Sequence, residues 1–337
     1  MQARRLARPS ALAAAVAAIL LAGCSGGGDG GGDSARTGTL KLGITDAPVD
    51  FAEDVVVKFT AVELKPKEGP SITIPIAAGS VDLLDYQGTE RMMLLDGVEV
   101  PAGEYVWMRL AVAADPNVVG DSYLRLEQGG AECEMRIPSG DETGLKLNRG
   151  FTVGVGSITD FTIDFDLRKS VIAPPGQTTP VDTCGGQAYT LKPVLRMVDN
   201  LQVGSITGAV DPALIQAQCE SSTEAPYPGN VYLYGPVTAT TVAPDDYDGV
   251  PNDPNGDDPL ASAMVDPATF RYTIGYVPVG SYELAYTCDV DSTTVDADVV
   301  PTPPESGEVV EFTPADGVAV TVTAGQATVQ DFTLPAP

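Results

Sequence analysis

No histidine occurs among the 337 residues. Without an imidazole there is no Ser-His-Asp or Cys-His mechanism, no histidine general base and no histidine-ligated zinc. Carboxylate pairs, serine–lysine arrangements and oxygen-ligated metals remain. In "DFTIDFDLRK" a strand reading puts Phe161, Ile163, Phe165 and Leu167 on one face and Asp160, Asp164 and Asp166 on the other. Asp164 and Asp166 would then have Cα atoms about 7 Å apart, near the lower limit for an inverting glycosidase pair. Neighbours on one strand rarely straddle a scissile bond, so a solvated face is expected and no catalytic residue is assigned.

Two further segments point to binding. In "GEYVWMRLAV", with Val106, Met108, Leu110 and Val112 facing a core, Tyr105, Trp107 and Arg109 form a row on the opposite face. That row contains the only tryptophan. Such rows stack sugars or anchor a protein partner, the alternative being cover by a neighbouring loop or domain. In "PDDYDGVPNDPNGDDP" alternating Asp and Asn around a glycine turn offer hard oxygen ligands, which calcium takes six to eight at a time. The candidates are Asp246, Asp248, Asn252, Asp253, Asn255 and Asp257. "DYDGVPN" partly resembles the calcium-binding repeats of thrombospondin type 3, but there is one repeat and no glutamate closes an EF-type loop. The competing expectation is a solvated acidic loop.

The five cysteines raise a question of parity. Cys24 follows Arg4, Arg5 and Arg8 and an apolar run from about Ala11 to Ala22, the layout of an export signal. About 12 residues is too short for a membrane-spanning helix, which needs roughly 20. "LAGC" resembles the lipobox of bacterial lipoproteins, which implies that Cys24 carries lipid and opens the mature chain. Cys133, Cys184, Cys219 and Cys288 then remain for an oxidising compartment. They allow three pairings. The domain boundary placed below favours Cys133 with Cys184 and Cys219 with Cys288.

The chain has 46 acidic and 19 basic residues, and loss of the signal removes three arginines and no acid. So negative a surface repels phosphate backbones, which argues against nucleic acid as a partner. It suits divalent cations, and calcium is the only cofactor the sequence suggests.

Behind Cys24, "SGGGDGGGDSARTG" has no side chains to build a core and reads as a tether spanning about 20 Å. Ser25 rather than Asp at the next position implies, by resemblance to lipoprotein sorting rules, the outer membrane. From Thr39 onward, runs rich in Val, Ile, Thr, Tyr and Phe alternate with Gly, Pro, Asn and Asp clusters, an all-β pattern. In "DVVVKFTAVELK" the apolar parity shifts from Val55, Val57 and Phe59 to Val62 and Leu64, which predicts a bulge near Thr60 and Ala61. "VPAGEY" at 100–105 is echoed by "VPVGSY" at 277–282. In each, Pro stops a ladder, Gly permits a positive φ, and the Tyr hydroxyl can bond back to the corner. Two copies suggest two sandwiches of related design, divided near Asn200.

"GTLKLGITDAPVD", "IPSGDETGLKLNRGFTV", "FTIDFDLRKSV" and "YTLKPVLRMVD", in this order, resemble domain of unknown function family 4382 of bacterial lipoproteins over about residues 38–199. "GSITGAV", "GNVYLYGP", "VPVGSYELAY" and "VTVTAGQATVQDFTL" are similar to the carboxypeptidase-regulatory-like, transthyretin-type sandwich. The expected organisation is a signal at 1–23, a tether at 24–38, and two immunoglobulin/transthyretin-like β-sandwiches at 39–199 and 203–334. The expected role is a non-enzymatic binding or structural module held to the membrane by lipid, with an envelope protein or glycan as partner. The alternative is a carboxylate-based carbohydrate-active or calcium-dependent surface enzyme.

Overall fold

The computed structural model describes residues 36–47, 52–76, 79–113, 121–126, 132–137, 144–172, 188–219, 228–236, 244, 259–288 and 311–334. Residues 35–337 form one compact unit. Its first part contains β1 (Thr37–Ala47), β2 (Ala52–Pro66), β3 (Ile72–Pro75), β4 (Ser80–Asp82), β5 (Met92–Pro101), β6 (Gly103–Ala113) and β7 (Tyr123–Leu126). There follow β8 (Glu132–Arg136), β9 (Leu145–Leu147), β10 (Phe151–Val153), β11 (Ile158–Asp166), the single turn α1 (Leu167–Ser170), β12 (Val171–Ile172), β13 (Tyr189–Leu191) and β14 (Leu195–Asp199). Its second part contains β15 (Val203–Ala209), α2 (Pro212–Cys219), β16 (Asn230–Tyr234), β17 (Ala261–Met264), β18 (Arg271–Pro278), β19 (Gly280–Thr287), β20 (Thr313–Val322) and β21 (Ala327–Val329). The protein is all-β and built in two parts.

In the first part a four-stranded sheet, β14-β11-β1-β5, faces a larger sheet centred on β6, β2 and β7. One core lies between them, with Leu40, Leu42 and Ile44 of β1 and Ile163 and Phe165 of β11 fully buried against Val57, Leu64 and Leu110. Alternation along these strands puts the apolar set inside. In the second part β18-β15-β21 faces β17-β16-β19-β20 across a separate core that includes Ile206, Leu233, Tyr272 and Leu284. Cys219 at the end of α2 is joined to Cys288 beyond β19, across a separation of 69 residues. Cys133 is also disulfide-bonded, and Cys184, its expected partner, lies outside the described residues.

The shift of parity in β2 is a real irregularity. Against β6, Phe59 pairs with Val112 and Ala61 with Ala111, so Thr60 is extra and both Phe59 and Val62 stay buried. The echoed hexapeptides mark the points where the chain crosses from one sheet to the other, β5 to β6 and β18 to β19. Tyr105 Oη donates to Pro101 O at 2.7 Å, and Tyr282 Oη to Pro278 O at 2.9 Å. Gly103 takes a φ of 152°, whereas Gly280 is absent from the positive-φ residues and instead lets the Tyr282 ring pass over it.

Each corner therefore holds a buried ring and one hydrogen bond to the turn it closes. Tyr105→Phe and Tyr282→Phe should each lower unfolding free energy by about 1 kcal/mol in urea denaturation. Because the two sites sit in different cores, their effects should add within about 0.5 kcal/mol in the double variant. A change of a few tenths or less in either single variant would mean that the corner bond is replaced by water at no cost.

Candidate functional site

The outer face of the β14-β11-β1-β5 sheet is polar, yet it is not a solvated face. Arg91 forms a bidentate pair with Asp160, its Nη1 and Nη2 lying 2.8 and 3.1 Å from the two carboxylate oxygens. Asn200 Nδ2 donates to the same carboxylate at 2.8 Å. Burial alone would raise the Asp160 pKa, but the Arg91 and Asn200 bonds hold it below its ordinary value. Asp164 is paired with Arg196 on the adjacent β14, and Asp166 with Lys169 at 3.3 Å. Asp166 also accepts from the Lys169 backbone N–H, which caps α1. Asp164 and Asp166 are thus committed to two cations.

The second part supplies the cover. Tyr276 Oη donates to Thr89 O at 2.9 Å, and Lys169 Nζ donates to Pro259 O. A cleft of about 360 Å³ remains between the parts, lined by Thr45, Asp46 and Asp164 on one side and Ser262, Arg271 and Thr273 on the other.

Asp46 is the anomaly at this cleft. It continues the inward row of Leu40, Leu42 and Ile44 and is only 4% exposed. Neither carboxylate oxygen has a hydrogen-bond partner among the described residues. Burial pushes its pKa well up, and the carboxylates of Asp164, Asp166 and Asp82 push the same way. The nearby backbone N–H of Leu167 opposes the rise without reaching hydrogen-bond geometry. Burial raises Asp164 too, against the pull of Arg196. Burial and like charge both favour the protonated form of Asp46 over an ion that no described residue compensates. Its signal was a lone acid at the end of an apolar strand, and sequence reasoning passed over it.

The expected row on β6 is only partly present. Tyr105 is buried at 3% exposure, stacked on Phe151 with ring centroids 4.8 Å apart, while Val106 is 47% exposed. The cause lies on the partner strand, where Lys65 pairs with Trp107 but Pro66 pairs with Tyr105, leaving Val106 bulged out. Proline has no N–H to continue the ladder. Trp107 and Arg109 do share the outer face. Trp107 is half-buried, with Lys146 Nζ 4.9 Å and the Arg109 guanidinium carbon 5.9 Å from its ring centroid. Arg109 is ion-paired with Glu63.

Cys24 and the calcium candidates Asp246, Asp248, Asn252, Asp253, Asn255 and Asp257 lie outside the described residues. Among the described residues no three Asp, Glu, His or Cys side chains are arranged to hold a metal ion.

Residues 37–193 match the Domain of unknown function (DUF4382). The DUF4382 segment takes in β1 to β13 and stops just before β14, the edge strand that completes the polar sheet and carries Arg196. No curated protein matches the sequence. Solved structures with similarity include the Bacillus anthracis TIE protein, at 9% identity and a TM-score of 0.18, covering 88% of this chain and 33% of that one. The chain thus spans about a third of that protein's length. Another is the minor pilin of Streptococcus agalactiae, at 10% identity and a TM-score of 0.18, covering 88% and 97% of the two chains. The major pilin subunit of Bacillus cereus gives 11% identity and a TM-score of 0.16, covering 88% and 99%.

Asp46 offers a test with a definite sign. A carboxyl whose folded pKa is raised keeps its proton above the unfolded value of about 4, so its contribution is fully present below that pH and is lost as pH rises toward the folded pKa. Asp46→Asn removes the ionisation and keeps the shape. In urea denaturation the variant should match the wild type near pH 4 and exceed it by roughly 1–3 kcal/mol by pH 8. A variant less stable than the wild type at pH 8 would show that the Asp46 charge is compensated.

Proposed function

We propose that this protein is a lipid-anchored lipoprotein of the bacterial envelope, acting as a non-enzymatic binding or structural module. The observation that carries the reading is the union of two all-β parts in one compact unit, 35–337, through hydrogen bonds such as Tyr276 Oη to Thr89 O and Lys169 Nζ to Pro259 O. A rigid tandem behind a glycine-rich tether can present a surface at a set distance from its anchor. The bonded state of Cys133, Cys219 and Cys288 suits an oxidising compartment. With those thiols used, Cys24 in "LAGC" is the residue left for acylation, and Ser25 favours the outer membrane. The seven described strands of the second part fit the transthyretin-type resemblance, and the acidic segment at 244–259 is a place for calcium.

The enzymatic alternative draws less support, since Asp160, Asp164 and Asp166 each face a cation at close range. Anchoring is the part of the reading most open to test. Cys24→Ala should abolish metabolic labelling with a fatty-acid analogue and move the protein from the membrane fraction to the soluble one. Unchanged partitioning with no incorporated label in the wild type would sink the lipoprotein reading.

A further inference from the structure

Among the described residues strand β14 is the edge of the four-stranded sheet and β9 pairs with β6 alone, so the sandwich has an open seam where these two meet. A cleft of about 410 Å³ occupies it. Its apolar lining includes Leu147, Leu195 and Met197, and its charged residues are Lys146, Arg149 and Arg196. Among the described residues no acid lines this cleft, in a chain with 46 acids to 19 bases. Arg196 is spent on Asp164. Lys146 and Arg149 have no carboxylate partner among the described residues, and Lys146 instead lies over the ring of Trp107. A cation–π contact holds an ammonium in place and leaves its charge to act outward.

Arg149 Nη1 donates to Met197 O at 2.5 Å. That bond occupies an outward carbonyl of the edge strand, which closes this part of the edge to an added peptide strand. The remaining guanidinium donors stay available for an anion. Beyond Arg149 lies a second cleft of about 280 Å³, lined by Asp160 and Asp199 as well as the exposed Ile158 and Leu201, and its two acids confine an anionic ligand to the first cleft.

Resting on the binding-module reading above, and narrowing it, we propose that this groove binds an anionic glycan through its carboxylate-bearing sugar units. A sugar carboxylate meets Lys146 and Arg149, and the apolar face of the ring rests on Leu195 and Met197 or against Trp107. Two cations with no carboxylate partner among the described residues, beside an apolar floor, supply both halves of that recognition. An acidic peptide would meet the same charges, but the capped edge denies it backbone pairing.

Trp107 is the only tryptophan and lies beside Lys146, so its fluorescence reports occupancy directly. Oligogalacturonate should quench or shift that emission with a saturable dependence, and calorimetry should give the same affinity. Its methyl ester keeps the ring and loses the charge, and should bind at least tenfold more weakly, as should the acid form to Lys146→Gln or Arg149→Gln. Both variants should keep the wild-type melt, which separates lost binding from lost folding. Equal binding of the ester, or binding of polyglutamate as tight as that of the sugar, would overturn the proposal, as would no response to the acid form. None of these results bears on anchoring, because the Cys24 fractionation reads the module's location independently of any glycan.

Discussion

Two backbones meet at Gly88 and Gly275, and the rest of the arrangement depends on how closely they approach. A Cβ on Gly275 would lie 1.8 Å from Gly88 O, so no other residue fits there without movement. Gly88 itself turns at a φ of 63°. In β18 Ile274 pairs with Ile206 and Val277 with Gly204, so the strand bulges at Gly275 and Tyr276. The bulge holds Tyr276 at a φ of 51°, a conformation that a bulky residue keeps only when its surroundings fix it. Here the fixing contact is the bond from its hydroxyl to Thr89 O.

From that contact the polar face acquires its meaning. Charged residues on a solvated sheet face contribute little, because water screens them and long side chains lose entropy on pairing. Under cover of the second part, Asp160 with Arg91 and Asp164 with Arg196 become partly desolvated pairs, for which loss of one partner leaves an uncompensated charge. Both pairs lie within the first part, so they fix the surface on which the second part rests more than they add net stability. Asp46 lies within the same field, and burial first, then the carboxylates of Asp164, Asp166 and Asp82, raise its pKa.

Much of the fold was legible in the sequence because it rests on local rules. The change of parity between Phe59 and Val62 announces a bulge, since both sets of apolar residues must reach one core. The two Pro-x-Gly-x-Tyr corners announce related sandwiches, since a tyrosine four residues past a proline can close the turn that it leaves. Tyr105 was misplaced because the deciding residue, Pro66, sits on another strand, and pairing register is not written in β6 itself. The Asp160, Asp164 and Asp166 face was read as solvated for a like reason. Alternation tells which side of a strand is polar and says nothing about what later folds over it. The cationic groove was hidden more deeply, its parts coming from β9, the turn after it and β14, which meet only in the folded chain.

The central claim is that one contact region joins two sandwiches in a single compact unit. Residual dipolar couplings measured on backbone amides of the intact mature chain test it most directly. One alignment tensor should fit the amides of residues 37–199 and 203–334 together in the wild type, and Gly275→Ala, which forces the backbones apart, should require two. Two distinct tensors in the wild type, or one shared tensor that survives Gly275→Ala unchanged, would contradict the account.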